Sequence, residues 1–522
     1  MLLPSPRHLR YAPRLIFYLA VIYGLTWIAS YPRSYDDEEL GIVPSHSDEN
    51  QLPVDKVVVA VRAPATIAYN YFPTLLLLTK NEYHDNLLLF SDIEMDIGGF
   101  HVDDLLNRFD QGFISRNTDF ERYRRQVQYA QYGIDLSQLQ DSDASREREI
   151  ILALDRYKYL RLLEETWNKR PERMWYVFME ADGYLIRKNL MTFLSSFNAE
   201  ENYFFGNRPH SSASDPFALS GSTFILSVGA MRRLFPKKNQ DMLKKNWENR
   251  IQEFKTGYDL VLAALENEIR LTPNETFPSI SGFNPATAPF GPGSWCEPII
   301  SLQGLRPEDQ SDLWRYERDR TQYQHLRSPL AFEDMYIAFV KPQDLFLSQT
   351  DWDNLSSDET NAEWNIAIGV AEKRGEEEKE AESRNNIANH MRQHQHGHPH
   401  AARRQEEQPI VTAPQTEAAA AADSSFEACR ETCNQIEQCF QYSYSSIPVL
   451  NHNGDSGSRC HLSRKLRFGV HKFPEEVKTE SGEVLRRTWK SGWRKDRLER
   501  WAASQKCKER WEKLEKKLKK RE

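Results

Sequence analysis

The sequence predicts an α/β protein. Three observations carry that expectation. Short β-branched or aromatic runs read as buried strands, segments with apolar residues at a spacing of three and four read as helices, and the two kinds alternate along the chain. Acidic residues also stand at the ends of the strand-like runs, where open sheets of this class bind ligands.

The elements follow in order. "KVVVAVR" (Lys56–Arg62) predicts the first strand, and "NLLLFSD" (Asn86–Asp92) a second, with a helical segment around Pro73 between them. Arg146–Trp167 predicts a long helix. "MWYVFME" (Met174–Glu180) predicts a third strand, followed by a helix over Leu185–Phe197. "FALSGSTFILSVGAMRRLF" combines a small-residue turn, a strand and a helix start. Gly257–Glu268 predicts another helix. Alternation of this kind argues for a sheet covered by helices on both faces.

At 522 residues the chain has room for two or more domains. Its net charge of -8 argues against a nucleic-acid partner. Arg7, Arg10 and Arg14 precede an uncharged apolar stretch from Leu15, and "DDEE" follows it. That charge order predicts a cytosolic tail over residues 1–14 and a signal anchor over 15–31. The rest would lie in the lumen of the Golgi or ER, a single-pass type II arrangement. A cleaved signal peptide is the competing reading. Residues 32–54 read as a stem and 372–424 as a disordered linker, with a histidine-rich run from His390 to His400. Residues 501–522 read as a basic helix.

Four of the six cysteines, Cys429, Cys433, Cys439 and Cys460, cluster in one short region. In a chain led by a membrane signal this predicts disulfides, with zinc the weaker alternative. Spacing alone leaves their connectivity open. Asn274 and Asn354 head N-x-[ST] triplets and are candidate glycosylation sites.

The chemistry centres on "WYVFMEADGYL" (Trp175–Leu185). On an extended chain, residues two apart point the same way, so Glu180 and Asp182 would face one spot beyond the sheet. Adjacent like charges call for a cation, and a hard divalent ion suits carboxylate ligands. The bland alternative is a turn at Asp-Gly.

The stretch "WYVFMEADGYLIRKNL" resembles the acidic-triplet region of glycosyltransferase family 31, the fringe and core-1 β1,3-galactosyltransferase group. Four further pieces resemble that family in the same order. They are the "KVVVAVRAPATIAYNYFPTLL…LLLFSD" start, "SGSTFILS" (Ser220–Ser227), "GYDLVLAAL" around Asp259, and "SWCEPIISLQGLRPEDQSDLWRYE" (Ser294–Glu317). The resemblance covers roughly residues 55–355. The cysteine region resembles a PAN/apple module over residues 425–500.

The family resemblance implies a GT-A-like domain over residues 55–371 and a small disulfide-bonded α+β module after it. It implies transfer of a hexose, galactose by analogy, from a UDP-sugar to a glycan or glycoprotein acceptor, with inversion and β1,3 linkage. Glu180 and Asp182 would hold Mn or Mg and the diphosphate, and Asp259 would be the catalytic base. Arg62, Asp92 and Gly221 would lie at the nucleotide-sugar. The PAN/apple pattern implies bridges Cys429–Cys460 and Cys433–Cys439.

The chain departs from the family pattern at several points. Gln303-Gly304 stands where the family carries a histidine pair, which weakens a transition-metal site. Gly183 replaces Thr, and Ser220 and Thr223 replace two glycines. Tyr258 and Leu260 replace cysteines, so Cys296 lacks its expected partner and Cys507 is unassigned. The lost histidines and the crowded glycine turn favour a second reading, an inactive relative that binds glycans or proteins through the PAN-like module, while the retained Glu180, Asp182 and Asp259 favour the first.

Overall fold

A computed structural model describes residues 52–208, 223–236, 242–322, 328–341, 348–357, 364–366, 422–447, 458–478 and 484–507. All belong to one compact unit, Leu52–Glu522. The predicted anchor, stem, linker and basic tail lie largely or wholly outside the described residues. Among the described residues no helix is long and apolar enough to cross a membrane.

The fold is mixed α/β. Strand β1 (Val57–Arg62) is buried along its whole length and leads through helix α1 (Ala65–Leu78) to β2 (Leu87–Ser91). Strands β3 (Met95–Ile97) and β4 (Phe100–Asp104) form a hairpin turned by Gly98 and Gly99, both at positive φ. Helices α2 (Gln111–Arg116), α3 (Glu121–Tyr132), α4 (Ala144–Asp155) and α5 (Tyr159–Lys169) follow. Strand β5 (Trp175–Glu180) then returns to the sheet.

After β5 come β6 (Tyr184–Leu185), α6 (Arg187–Leu194), β7 (Phe204–Phe205) and β8 (Phe224–Ser227). The seven-stranded sheet has the order β3-β4-β2-β1-β5-β8-β7. Its inner four strands, β4, β2, β1 and β5, run parallel; β3 and β8 run antiparallel to them, and the edge strand β7, antiparallel to β8, runs in the inner strands' direction. Parallel strands buried on both faces explain why β1, β2 and β5 read as near-continuous apolar runs.

Helices α7 (Val228–Leu234), α8 (Met242–Trp247) and α9 (Gly257–Ile269) come next, and α9 packs on α5 and α7. Strand β9 (Ser301–Leu302) pairs with β6, and α10 (Pro307–Gln322) packs on α1.

The predicted helix over Arg146–Trp167 is two helices. The chain breaks between Asp155 and Tyr159, which turns Asp155 and Lys158 inward onto Arg62 and Asp92.

A second sheet gathers β10 (Gln349–Thr350), β12 (Asn365–Ile366), β13 (Gln441–Ser446), β14 (Arg459–Ser463), β16 (Glu475–Lys478) and β17 (Val484–Trp493) around a helix, Phe426–Gln435, and a separate pair joins β11 (Trp352–Asp353) to β15 (Val470–His471). The boundary expected at residue 371 therefore does not separate two sheets: β10 pairs with β17 and β12 with β14. One apolar cluster likewise joins Phe290, Trp295 and Tyr336 to Phe440, Leu466, Trp493 and Leu498.

Three disulfides are present. Two are Cys429–Cys460 and Cys433–Cys439, the nested pairs implied by the PAN/apple resemblance. The third joins Cys296 to Cys507, the two cysteines without an expected partner.

Asn354 is a correction. It is fully buried, and its amide nitrogen donates to the Tyr442 carbonyl at 3.1 Å and the Gly492 carbonyl at 3.2 Å. A glycan has no room there in the folded chain. Its "NLS" triplet is instead a local turn, with Ser356 donating to the Asn354 side-chain oxygen at 2.7 Å. Asn274 is exposed.

Candidate functional site

Strand β1 has β2 on one side and β5 on the other, so the connections diverge at β1. Ligands of open α/β sheets bind beyond the strand ends at such a switch point. Here the carboxyl ends meet in register, Arg62 opposite Glu180, and the Ala181 amide donates to the Arg62 carbonyl at 2.9 Å.

Arg62 lies at the centre of a buried ionic chain. Its Nη2 pairs with the Glu180 carboxylate and donates to the Tyr159 hydroxyl at 2.8 Å. Its Nη1 lies 3.1 Å from Asp155, and the guanidinium sits 4.0 Å over the Tyr159 ring. Asp155 also pairs with Lys158, and Lys158 reaches Asp92 at 2.5 Å. Asp92 in turn accepts from the Ala65 amide at 3.1 Å, at the start of α1, and from Gln126 at 3.0 Å. The sequence expectation placed Asp92 at a nucleotide. In the structure its carboxylate is spent on Lys158, α1 and Gln126.

The acidic pair is arranged differently from its sequence reading. The strand ends at Glu180, and the Gly183 amide donates to the Glu180 carbonyl at 3.1 Å, closing a turn. The extended geometry that would aim Glu180 and Asp182 at one spot stops one residue too soon. Glu180 points to Arg62. Asp182 meets the Gly304 amide and the Gln303 side chain. Gln310 on α10 clamps the turn, donating to the Ala181 carbonyl at 2.7 Å and the Gly183 carbonyl at 2.9 Å.

Both acids titrate high. Burial pushes Glu180 up to about 7; Arg62 opposes this, while Asp155 and Asp182 add to it. Burial pushes Asp182 up to about 6, opposed by Gly304, Arg62 and Gln303. Burial also acts on Asp155, but Arg62 and Lys158 outweigh it and hold that carboxyl below its ordinary value.

These shifts set a pH dependence. Folded values of about 6 and about 7 exceed the ordinary values of 3.8 and 4.5. The folded chain then holds protons that the unfolded chain has lost. The stability they contribute is present below pH ~4 and lost as pH rises through ~6 to 7. We expect urea denaturation to show Asp182→Asn losing less stability than wild type between pH 5 and 8, by on the order of 2 kcal/mol. Equal losses would contradict the placement of Asp182.

Asp259 sits in the first turn of α9, where Thr256 is the N-cap. The Asp259 amide donates to Thr256 Oγ1 at 3.1 Å, and that hydroxyl donates to Asp259 Oδ2 at 2.8 Å. Locally, Thr256 caps the helix through its hydroxyl, and the Asp259 carboxylate holds that hydroxyl. Tyr159 links α9 to the ionic chain, because Gly257 lies against its ring; a Cβ at 257 would come within 2.1 Å of Tyr159 Cδ2. Gly221 lies outside the described residues.

The structure thus brings Arg62, Glu180 and Asp182 together and keeps Asp92 on the far side of Asp155 and Lys158. Sequence reasoning missed Asp155, Lys158 and Tyr159. Their signal was present, since on the single helix that the sequence predicts positions 155, 158 and 159 would share one face within an otherwise apolar stripe.

No protein-family model matches the chain, and no curated protein matches it.

The residues admit a divalent cation in a reduced form. Asp182 Oδ1 is buried without a hydrogen-bond partner. Glu180 is committed to Arg62, and among the described residues no group of three or more His, Cys, Asp or Glu side chains gathers to hold a metal. One carboxylate plus ligand phosphates is an ordinary Mg environment. Charge points the same way. Asp92, Asp155, Glu180 and Asp182 carry four negative charges against two positive ones on Arg62 and Lys158, a balance of -2 when all are ionised.

Proposed function

We propose that the protein is a type II membrane glycosyltransferase. In this reading it moves a hexose, galactose by analogy, from a UDP-sugar to a hydroxyl of a glycan or glycoprotein, inverting the sugar carbon and forming a β1,3 bond. The GT-A-like and PAN/apple-like assignments belong to the same proposal. The three disulfides suit an oxidising lumen.

The observation that carries the reading is the meeting at Asp182. The acidic triplet and the Gln303-Gly304 pair are 121 residues apart, from 182 to 303, yet they touch at the switch point. The resemblance pairs these two stretches as one donor site, and the contact supports it.

The roles follow from the chain's own groups. Asp182 Oδ1 would hold the divalent ion, with Glu180 acting on Arg62 rather than as a second ligand. A bound ion would neutralise the diphosphate leaving group. Arg62 and the Tyr159 hydroxyl would carry the protein's share of that charge. Asp259 would take the acceptor's proton, exchanging its bond from Thr256 for one from the acceptor. The acceptor oxygen then forms a bond to the sugar carbon as the bond to the diphosphate oxygen breaks, and UDP leaves with the electron pair.

A second reading is a catalytically silent relative. Its supporting observation is that Arg62 and Lys158 are already fully paired with acids.

The test is UDP release from UDP-galactose, UDP-glucose and UDP-N-acetylglucosamine with Mn. Wild type should turn over at least one donor, and Asp182→Asn should lose about a hundredfold or more. No release from any donor by folded wild type favours the silent relative.

A further inference from the structure

Side-chain exposure along the ionic chain is 2 % at Asp92, 3 % at Lys158, 11 % at Asp155, 6 % at Arg62 and 16 % at Glu180, so Glu180 is its most exposed member. Glu180 is the outer end of the chain and is paired with Arg62. It is also the surplus charge, since Arg62 and Lys158 balance Asp155 and Asp92 without it. The Tyr159 hydroxyl accepts from Arg62 and so keeps its own proton to donate. Arg62 Nη2 and this hydroxyl form a preorganised anion site, with a planar cation suited to phosphate, and a carboxylate of the chain itself lies on it.

We propose that Glu180 is a resident plug, holding on Arg62 Nη2 the place that a phosphate of a diphosphate ligand takes. Asp155 is the retaining partner. It keeps Nη1 of Arg62 while Nη2 exchanges Glu180 for phosphate, and Lys158 keeps Asp155 in place. The inference rests on the nucleotide-sugar reading and deepens it. It assigns Glu180 to gating and Asp155 and Lys158 to positioning.

Removing one carboxylate leaves the chain balanced, so Glu180→Gln and Asp155→Asn should both fold. The experiment measures binding of UDP and of inorganic pyrophosphate to the lumenal chain by calorimetry, in EDTA and then in Mn. A plug reduces apparent affinity by the fraction of chains in which the site is open. Glu180→Gln is therefore expected to bind both ligands about tenfold tighter than wild type in EDTA. Asp155→Asn is expected to lose affinity for both. Should Glu180→Gln fail to fold, Glu180→Asp withdraws the carboxylate by one methylene and should shift affinity in the same direction.

If wild type binds UDP and Glu180→Gln binds it equally or more weakly, the plug is overturned while the nucleotide reading stands, with Glu180 returned to the ligand set. If neither chain binds UDP or pyrophosphate with any metal, both readings fall.

Discussion

A chain ending at residue 371 is expected not to fold. The reason lies in the shared core. Strands β10 and β12 precede that point but find their partners in β17 and β14 beyond it. Trp295 packs on Tyr336 and on Trp501, Trp501 packs on Phe440, and the Phe290 amide bonds to the Leu466 carbonyl at 2.8 Å. Truncation would expose this cluster and leave Cys296 without Cys507. Each large apolar side chain returned to water costs ~1.5 to 3 kcal/mol, and a handful exhausts the ~5 to 15 kcal/mol that holds a domain together. Circular dichroism and size exclusion on residues 52–371 beside residues 52–507 would decide the matter. Cooperative melting of the shorter chain would show that the C-terminal region is an appendage.

Replacing Arg62 with Met should have the next largest effect. It removes the cation shared by Asp155 and Glu180 and leaves both carboxylates in a buried setting. Breaking a buried pair by removing one partner costs ~3 to 5 kcal/mol, because the remaining charge stays desolvated. Urea denaturation at pH 7.5 should show a loss of that order, with a smaller loss near pH 5, where Glu180 is protonated. A loss within ~0.5 kcal/mol would mean that Arg62 is not the hub of the chain.

Much of the first sheet was legible in the sequence. β1, β2 and β5 fall within the runs that their β-branched and aromatic residues marked, because parallel strands buried on both faces cannot hide their composition. The two-residue strands β10 and β12 were not legible. Two residues carry no period, and their pairing is decided by distant partners, Ile366 with Leu462 across 96 positions and Thr350 with Lys490 across 140.

The site was legible in its members more than in its geometry. Glu180, Asp182 and Arg62 do gather at the switch point, as their places at strand ends suggested. The shared aim of the two acids did not survive, because Asp-Gly closes its turn at Glu180 and sends the side chains to different partners. The Asn354 triplet misled for a related reason. Asn and Ser two apart also build a buried turn, and sequence alone does not record burial.

In the proposed reading this switch point binds a nucleoside diphosphate with a divalent ion. The most direct measurement is the thermal melt of residues 52–507 with UDP, Mn, both and neither, repeated in Asp182→Asn. A ligand that binds only the folded chain stabilises it by about 2.7 kcal/mol at a hundredfold excess over its dissociation constant. UDP and Mn together should raise the melting temperature clearly, either alone should raise it less, and Asp182→Asn should show no cooperative rise. Identical melting in all four conditions, in a well-folded wild type, would contradict that reading.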